Sequence, residues 1–527
     1  MIRAIRGCGR SPSASTWASR SMTMTLRRFA AGAAIALALG GCSSYLAETP
    51  EDFLTPTSFP TTENDLKIAL GGIDNWYTGG SNQAYYIRGW PMISEVPNEQ
   101  TILINATTGS KYEVDRYVNL PDNEWLWRTW AQMYGAIGQA NLLIKRIPDM
   151  QGVPQAVKDR YLGAAKFHRA LNHFNAVRVW GDVPLITEPI TDFGTAGDVK
   201  RSPQAEVYAA IAADLEDAAK LLPVKWPDSA TPDDGRPTRG AALTMLADVY
   251  ANMSGSIIKQ NKWAQAAAAA KAVIDSKAYT LVPNFADLWL VNNKNGPEHI
   301  YSIQFQGLIR NLFTSQSRPS GIGAESGINY WCTTPEFMDT FLDTDKRKAP
   351  TFLTQVTVGT TTFFYDTRGS VKGFGDKTPL FPKPLPYYGK FYDNGGQSIA
   401  LNSGRSDLNW PVYRYAETLL LYAEAENETA GPANAYAAIN LVRARAGMPA
   451  LAGLTQAQFR DAVRQERSWE LAFESKRLFD LKRWGLYETV VGNDPVSKVG
   501  WKPNKIWLAI PQRELDLNPG LTQNPGY

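Results

Sequence analysis

Apolar residues recur at three- and four-residue intervals over much of this chain, the spacing that gives a helix one buried face. From Glu124 to Ile147 the recurrence passes through Trp127, Trp130 or Ala131, Tyr134, Ile137 or Gly138 and Asn141-Leu142, and Pro148 ends it. From 155 to 180 it passes through Tyr161, Ala164, Phe167, Leu171 and Phe174, with Gly181 and Pro184 as the stop. Ser202-Pro203 reads as the N-cap and first-turn proline of a third helix, whose core face is Val207, Ile211, Leu215 and Leu222. Residues 239–254 and 262–276 predict an alanine-rich pair of helices. Helices are expected again over Tyr413–Glu428, Ala433–Ala446 and Thr455–Trp484, the last opening on a Thr455-x-x-Gln458 capping box. The pattern changes between about 278 and 410. Glu298–Gln306 and Thr354–Tyr365 alternate apolar and polar residues like short strands, among stretches such as Gly321-Ile322-Gly323 and Tyr330-Trp331. Long irregular segments on a compact scaffold are where binding usually happens. The pattern therefore predicts an α-rich chain with a loop-rich, ligand-facing insertion that holds a few short strands.

The N-terminus changes the charge picture. Residues 1–41 carry Arg3, Arg6, Arg10, Arg20, Arg27 and Arg28 and no acidic residue. Arg27-Arg28 is followed by an apolar stretch from Phe29 to Leu39 and then Gly40-Gly41-Cys42. That order predicts a secretory signal over 1–41, too short to span a bilayer, with Cys42 at the position of an acylated lipoprotein cysteine. A start at Met22 or Met24 makes the signal more compact and leaves 1–21 as an untranslated extension. Residues 42–60, rich in Ser, Thr and Pro, read as a lipidated tether. The formal charge of +3 falls to −3 when those six arginines leave. No basic run remains that points to nucleic acid. With Cys8 gone and Cys42 lipidated, Cys332 stands alone, so no intrachain disulfide is available and the core must hold the fold. No linker marks a domain boundary in 61–527, which reads as one unit.

Candidate chemistry is sparse. Glu466, Glu470 and Glu474 sit at i, i+4 and i+8 on one expected helix face. Carboxylates pointing the same way cannot flank a glycosidic bond. Ion pairing with Arg443, Arg445, Arg467 and Arg477 is the expected role. Three scattered histidines, with no His-Glu-x-x-His, Cys-x-x-Cys or EF-hand loop, give no metal centre. No Gly-x-Ser-x-Gly elbow and no phosphate-cradling loop occurs, so neither a catalytic residue nor a cofactor is expected. Aromatics in loop-like surroundings are what remains. Trp and Tyr faces stack on the C–H faces of sugars while polar neighbours bind the hydroxyls. Trp90 and Trp331 are the leading candidates for ligand contact, with Tyr330, Trp76 and Tyr77 beside them. The tryptophans at 125, 127, 130, 180, 469 and 484 lie on periodic helices and are expected in the core.

Three C-terminal segments carry a family resemblance. They are Arg414-Tyr415-Ala416-Glu417-Thr418-Leu419-Leu420-Leu421-Tyr422-Ala423-Glu424-Ala425, then Asn440-Leu441-Val442-Arg443-Ala444-Arg445-Ala446-Gly447-Met448-Pro449, then Glu466-Arg467-Ser468-Trp469-Glu470 through Phe479-Asp480-Leu481-Lys482-Arg483-Trp484-Gly485. In that order they resemble the RagB/SusD family of nutrient-uptake lipoproteins. Phe167-His168-Arg169-Ala170-Leu171 through Val179-Trp180-Gly181-Asp182-Val183-Pro184-Leu185 is similar to the family's N-terminal signature, and Leu508-Ala509-Ile510-Pro511 through Tyr527 to its closing segment. The Trp263-Ala264-Gln265-Ala266 start makes 239–276 similar to a tetratricopeptide hairpin. The resemblance implies an all-α SusD-like fold over 61–527: a helical part 61–277, the insertion 278–410 and a C-terminal helical part 411–527. It implies a non-enzymatic lipoprotein of the outer membrane, facing the cell exterior. Such a protein captures an oligosaccharide or similar nutrient and delivers it to a SusC-like TonB-dependent receptor. A surface glycoside hydrolase and a protein-binding tetratricopeptide-like scaffold are the alternatives.

Overall fold

The computed structural model describes residues 59–79, 85–103, 108–190, 197, 199–231, 233–308, 311–312, 314–318, 327–328, 330–358, 360–364, 385–392, 406–494 and 500–527. The expected signal, Cys42 and the expected tether up to 58 lie outside the described residues, as does Gly321-Ile322-Gly323. Residues 60–527 form one compact unit. No helix among the described residues is long and apolar enough to cross a membrane.

Ten longer helices carry the architecture: α1 (Glu63–Thr78), α2 (Glu124–Arg146), α3 (Gln155–Trp180), α4 (Gln204–Leu221), α5 (Arg239–Ser254), α6 (Trp263–Ser276), α7 (Tyr415–Ala430), α8 (Tyr436–Arg445), α9 (Gln456–Glu470) and α10 (Arg477–Trp484). They stack in chain order. Each of α1 to α5 packs on the next, α1 on α2 across residues 79–123, and α6 packs directly on α7 although residues 277–414 intervene. Then α7 packs on α8 and α9. From Phe167 to Trp180 every residue of α3 is buried, because the helix has α2 on one side and α4 on the other. A helix that is buried all round shows weak amphipathic periodicity.

Three local expectations are corrected. The buried face of α2 is Trp125, Leu126, Thr129, Trp130, Met133, Ala136, Ile137, Ala140 and Asn141, rotated from the expected face. Leu142 is exposed, and Trp127 lies at the surface between the guanidinium groups of Arg128 and Arg513, 4.7 and 3.9 Å from its ring centre. Ser202 does not cap α4. It sits in strand β3 (Arg201–Ser202), paired with β2 (Val183–Pro184), and the Asp182 carboxylate accepts the Gln204 N–H at 3.0 Å in its place. The expected helix 455–484 is broken. Its start is as read, with Thr455 and Gln458 forming the capping box, but α9 stops at Glu470 and α10 starts at Arg477. Phe473 and Ser475 in the break have φ of 58° and 56°, a left-handed conformation that non-glycine residues rarely hold.

Two short antiparallel pairs stitch the insertion to the rest, and two more lie within it. β1 (Thr101–Leu103) pairs with β5 (Trp331–Thr333), in the register Ile102 to Cys332. β4 (His299–Ile303) pairs with β10 (Trp410–Arg414), and both are buried throughout. β6 (Phe352–Leu353) pairs with β9 (Tyr387–Tyr388), and β7 (Gln355–Val358) forms a hairpin with β8 (Thr361–Phe364).

Candidate ligand-binding face

The β1–β5 pair brings the loops after α1 against the insertion. Thr333 Oγ1 and the Tyr388 hydroxyl both donate to the Gln100 carbonyl, at 2.8 and 3.0 Å. Tyr330, one residue before β5, is fixed by its N–H to the Gln316 carbonyl at 2.8 Å. Its ring is half-buried. The Lys111 ammonium lies 4.5 Å from the ring centre and the Arg88 guanidinium 5.5 Å. Lys111 also reaches the buried Trp125 ring at 5.3 Å. The Glu124 carboxylate accepts from Ser110 and the Glu113 carboxylate from Asn123, both at 2.8 Å. A partly exposed aromatic residue beside cationic donors can pair apolar contact with hydrogen bonding. A sugar ring needs that combination.

The other predicted contact residues lie elsewhere. Trp331 is only 2% exposed and packs against Phe473 and Tyr330, with ring centres 6.0 and 6.2 Å away. Strand pairing turns it inward, and its indole N–H has no partner among the described residues. Trp90 is 3% exposed, stacked on Phe479 at 5.5 Å and edge-on to Tyr85 at 5.8 Å. Tyr77 is fully buried, and its hydroxyl meets His168 Nδ1 and accepts from Asn172, both at 2.9 Å. These three rings have no face open to a ligand in this conformation. Trp76 is 38% exposed. Its ring lies against Gly135 of α2, where a Cβ would come within 2.7 Å, and its indole donates to Gln139 Oε1 at 3.2 Å. The structure thus brings Tyr330 and Trp331 together and gathers Tyr77 and Trp90 into one buried aromatic cluster through Tyr85.

The three glutamates face a second constellation. Glu466 accepts from Arg347 at 2.6 Å and Arg443 at 2.8 Å. Glu470 meets Arg445, Arg414 and Arg347 at 2.5, 3.0 and 3.2 Å. Glu474 accepts from Arg414 and Lys390, each at 2.8 Å. Glu298 joins through Arg414 at 2.6 Å and Arg445 at 3.2 Å, and Asp345 pairs with Arg347 at 2.8 Å. Five carboxylates (Glu298, Asp345, Glu466, Glu470 and Glu474) balance five cations (Arg347, Lys390, Arg414, Arg443 and Arg445), and all ten residues are buried. Burial opposes ionisation of Glu470, yet Arg445, Arg414 and Arg347 hold its carboxyl down at about 2. At Glu298 burial outweighs Arg445 and Arg414, and the carboxyl is raised.

The expected Arg443 and Arg445 partners are present. The other two differ: Arg467 serves Asp480 and Glu417, and Arg477 serves Glu99. Sequence reasoning missed Arg347, Lys390, Arg414 and Glu298, which reach the glutamates from the insertion and its edge. The one sequence signal was that Arg414 opens the first family segment. Among the described residues no group of acidic, histidine or cysteine side chains is arranged to hold a metal.

Residues 336–527 match the SusD family model, and residues 74–251 match the model described as starch-binding associating with outer membrane. SusD-like protein P2 of Formosa agariphila is 30% identical over 93% of this chain and 98% of its own length. SusD-like protein P25 of the same organism is 27% identical over 92% and 96%. A SusD homolog from Bacteroides thetaiotaomicron has the same fold, with a TM-score of 0.77 at 25% identity over 90% of this chain and 98% of that one. Surface glycan-binding protein A from Bacteroides thetaiotaomicron, solved in complex with laminarihexaose, superimposes with a TM-score of 0.70 at 19% identity over 88% of this chain and all of that one. The chain belongs to the SusD family.

Proposed function

We propose that this protein is a non-catalytic glycan-binding lipoprotein, anchored through Cys42 to the outer membrane and facing the cell exterior. It captures an oligosaccharide and passes it to a SusC-like TonB-dependent receptor. The observation that carries the reading is the partly exposed Tyr330 with Lys111 and Arg88 over its ring, where the insertion meets the loops after α1. A structural relative with the same fold was solved holding a glucan hexasaccharide, laminarihexaose. Tyr330 is the stacking residue, and Trp331 supports it from within. A hydrolase is disfavoured because Glu466, Glu470 and Glu474 are each already held by cations. Delivery needs a partner because none of the described helices crosses a membrane.

Two measurements test the reading. Calorimetry of the chain from Ser43 onward against a panel of oligosaccharides is expected to find at least one saturable ligand. A tagged full-length form, purified from solubilised outer membranes, is expected to bring down a TonB-dependent receptor in near-stoichiometric amount. Labelled palmitate should enter it and not its Cys42→Ala variant. Recovery of the lipoprotein alone, with uptake unchanged in a deletion strain, would leave a freestanding scaffold as the better reading.

A further inference from the structure

Two cations from different elements share the Tyr330 ring. Lys111 comes from the short helix Ser110–Asp115 and Arg88 from the short helix Tyr85–Gly89. The ammonium lies 4.5 Å from the ring centre and the guanidinium 5.5 Å. An aromatic face attracts a cation through its quadrupole but carries no net charge. Two like charges gathered at one ring therefore repel each other until an anion joins them.

For Lys111 the protein supplies no such anion. Lys111 is half-buried, and among the described residues its ammonium has neither a carboxylate nor a hydrogen-bond acceptor. Its contacts are the rings of Tyr330 and Trp125, the second at 5.3 Å. The carboxylates nearest to it along the chain are engaged elsewhere. Glu113 accepts from Asn123, Asp115 pairs with Arg116, and Glu124 accepts from Ser110 and pairs with Arg128 at 3.3 Å. The Trp125 indole N–H, on a side chain only 1% exposed, also lacks an acceptor among the described residues. The surroundings of Lys111 are thus short of negative atoms on two counts. The buried cations around Glu470, by contrast, each have a carboxylate. A glycan that settles beside Tyr330 strips water from Lys111. Hydroxyl oxygens of a neutral sugar offset part of that cost. A carboxylate or sulfate offsets more, through charge-assisted hydrogen bonds about twice as strong, and relieves the repulsion between the two cations as well.

We propose that the glycan taken at this face is acidic, with Lys111 as the counter-cation of a sugar carboxylate or sulfate and Arg88 as the second positive charge beside it. This rests on the reading of the Tyr330 face as glycan-binding and narrows it to a substrate class. Two sources share this chemistry: a uronic acid and a sulfate ester.

The test is calorimetry of the mature, detergent-solubilised protein with oligogalacturonate and oligoalginate as uronates and with a sulfated galactan oligosaccharide. Each is paired with a neutral counterpart of the same skeleton, carboxyl-reduced or desulfated, and neutral laminarihexaose is run beside them. An acidic ligand is expected to bind about tenfold or more tighter than its counterpart, with an affinity that falls as sodium chloride is added. Binding of uronates alone assigns the site to carboxylates, binding of the galactan alone to sulfate esters, and binding of both to charge without regard to its source. Lys111→Met should erase the preference and leave neutral affinity and the unfolding midpoint unchanged, and Lys111→Arg should restore it. If Lys111→Met fails to fold, the paired ligands and the salt dependence of the wild type decide. Equal affinity for acidic and neutral partners, binding of laminarihexaose alone, or a preference that survives in a folded Lys111→Met overturns the proposal and leaves the glycan-binding reading standing. No saturable binding of any of these sugars overturns both.

Discussion

Glu470 sits among three guanidinium groups, and its removal would leave Arg347, Arg414 and Arg445 with fewer carboxylates than charges. Breaking a buried pair from one side costs about 3–5 kcal/mol. Glu470→Ala is therefore expected to lower the unfolding midpoint strongly while ligand affinity per folded molecule stays unchanged, as read by calorimetry on the folded fraction. Tyr330 should behave in the opposite way. Its ring is half-buried at the edge of the insertion, so Tyr330→Ala is expected to weaken glycan binding by about tenfold, the equivalent of roughly 1.4 kcal/mol, with little change in midpoint. Trp331→Ala removes a ring that is 2% exposed and should instead cost about 3–5 kcal/mol of stability. If Trp331→Ala folds normally and loses ligand while Tyr330→Ala does neither, the stacking assignment is reversed. At this scale the sequence marked both residues as aromatics in a loop. It could not tell them apart, because which of two adjacent side chains faces out depends on the register of β5 against β1, a partner more than 200 residues away in the chain.

At the scale of elements, helices with one buried face were legible and helices in a crowded setting were less so. The helix pair α5–α6 and the Thr455 capping box lie where local spacing puts them. The face of α2 was misjudged because Trp127 is apolar by composition, yet its ring is covered by arginines at the surface. The break between α9 and α10 was hidden because its cause is tertiary. Phe473 stacks flat on Tyr388, with centres 4.0 Å apart and planes 9° apart. The Ser475 N–H donates to the buried Glu95 carboxylate at 2.8 Å, and Glu474 is released from the helix to meet Arg414 and Lys390. These contacts offset left-handed backbone at two non-glycine residues, each costing on the order of 1–3 kcal/mol. Phe473→Ala keeps the strained backbone but loses the stack. We expect a loss of about 3 kcal/mol or more, seen as a lower denaturant midpoint with an unchanged slope. A change within a few tenths of a kcal/mol would mean that the stack does not hold the break.

At the scale of the whole molecule, buried titratable groups set the response to acid. Burial depresses His168 from 6.5 to about 3, and burial together with Arg169 does the same for His173. The unfolded chain takes up these protons near 6.5 and the fold refuses them until about 3, so stability falls as pH drops through that window. Glu470, held at about 2, adds to the loss below its usual 4.5. Glu95 and Asp115 act in the other direction. Burial raises both to about 7, so the fold keeps protons that the unfolded chain has released, and their contribution declines as pH rises toward 7. In His168→Gln, proton uptake on unfolding between pH 6 and pH 4, taken from the pH slope of stability, should fall by about one. An unchanged slope would show that His168 is already protonated in the fold.

The direct packing of α6 on α7 has a consequence for descent. The scaffold closes without the 277–414 excursion, so loops there can lengthen, shorten or be replaced while the helices keep their order. The excursion is not free of the scaffold, however, because Glu298, Asp345, Arg347, Lys390 and Arg414 are its share of the ten-member ionic lattice. Ligand preference in this lineage can therefore drift as an exchangeable cassette whose five charged pins must be inherited together.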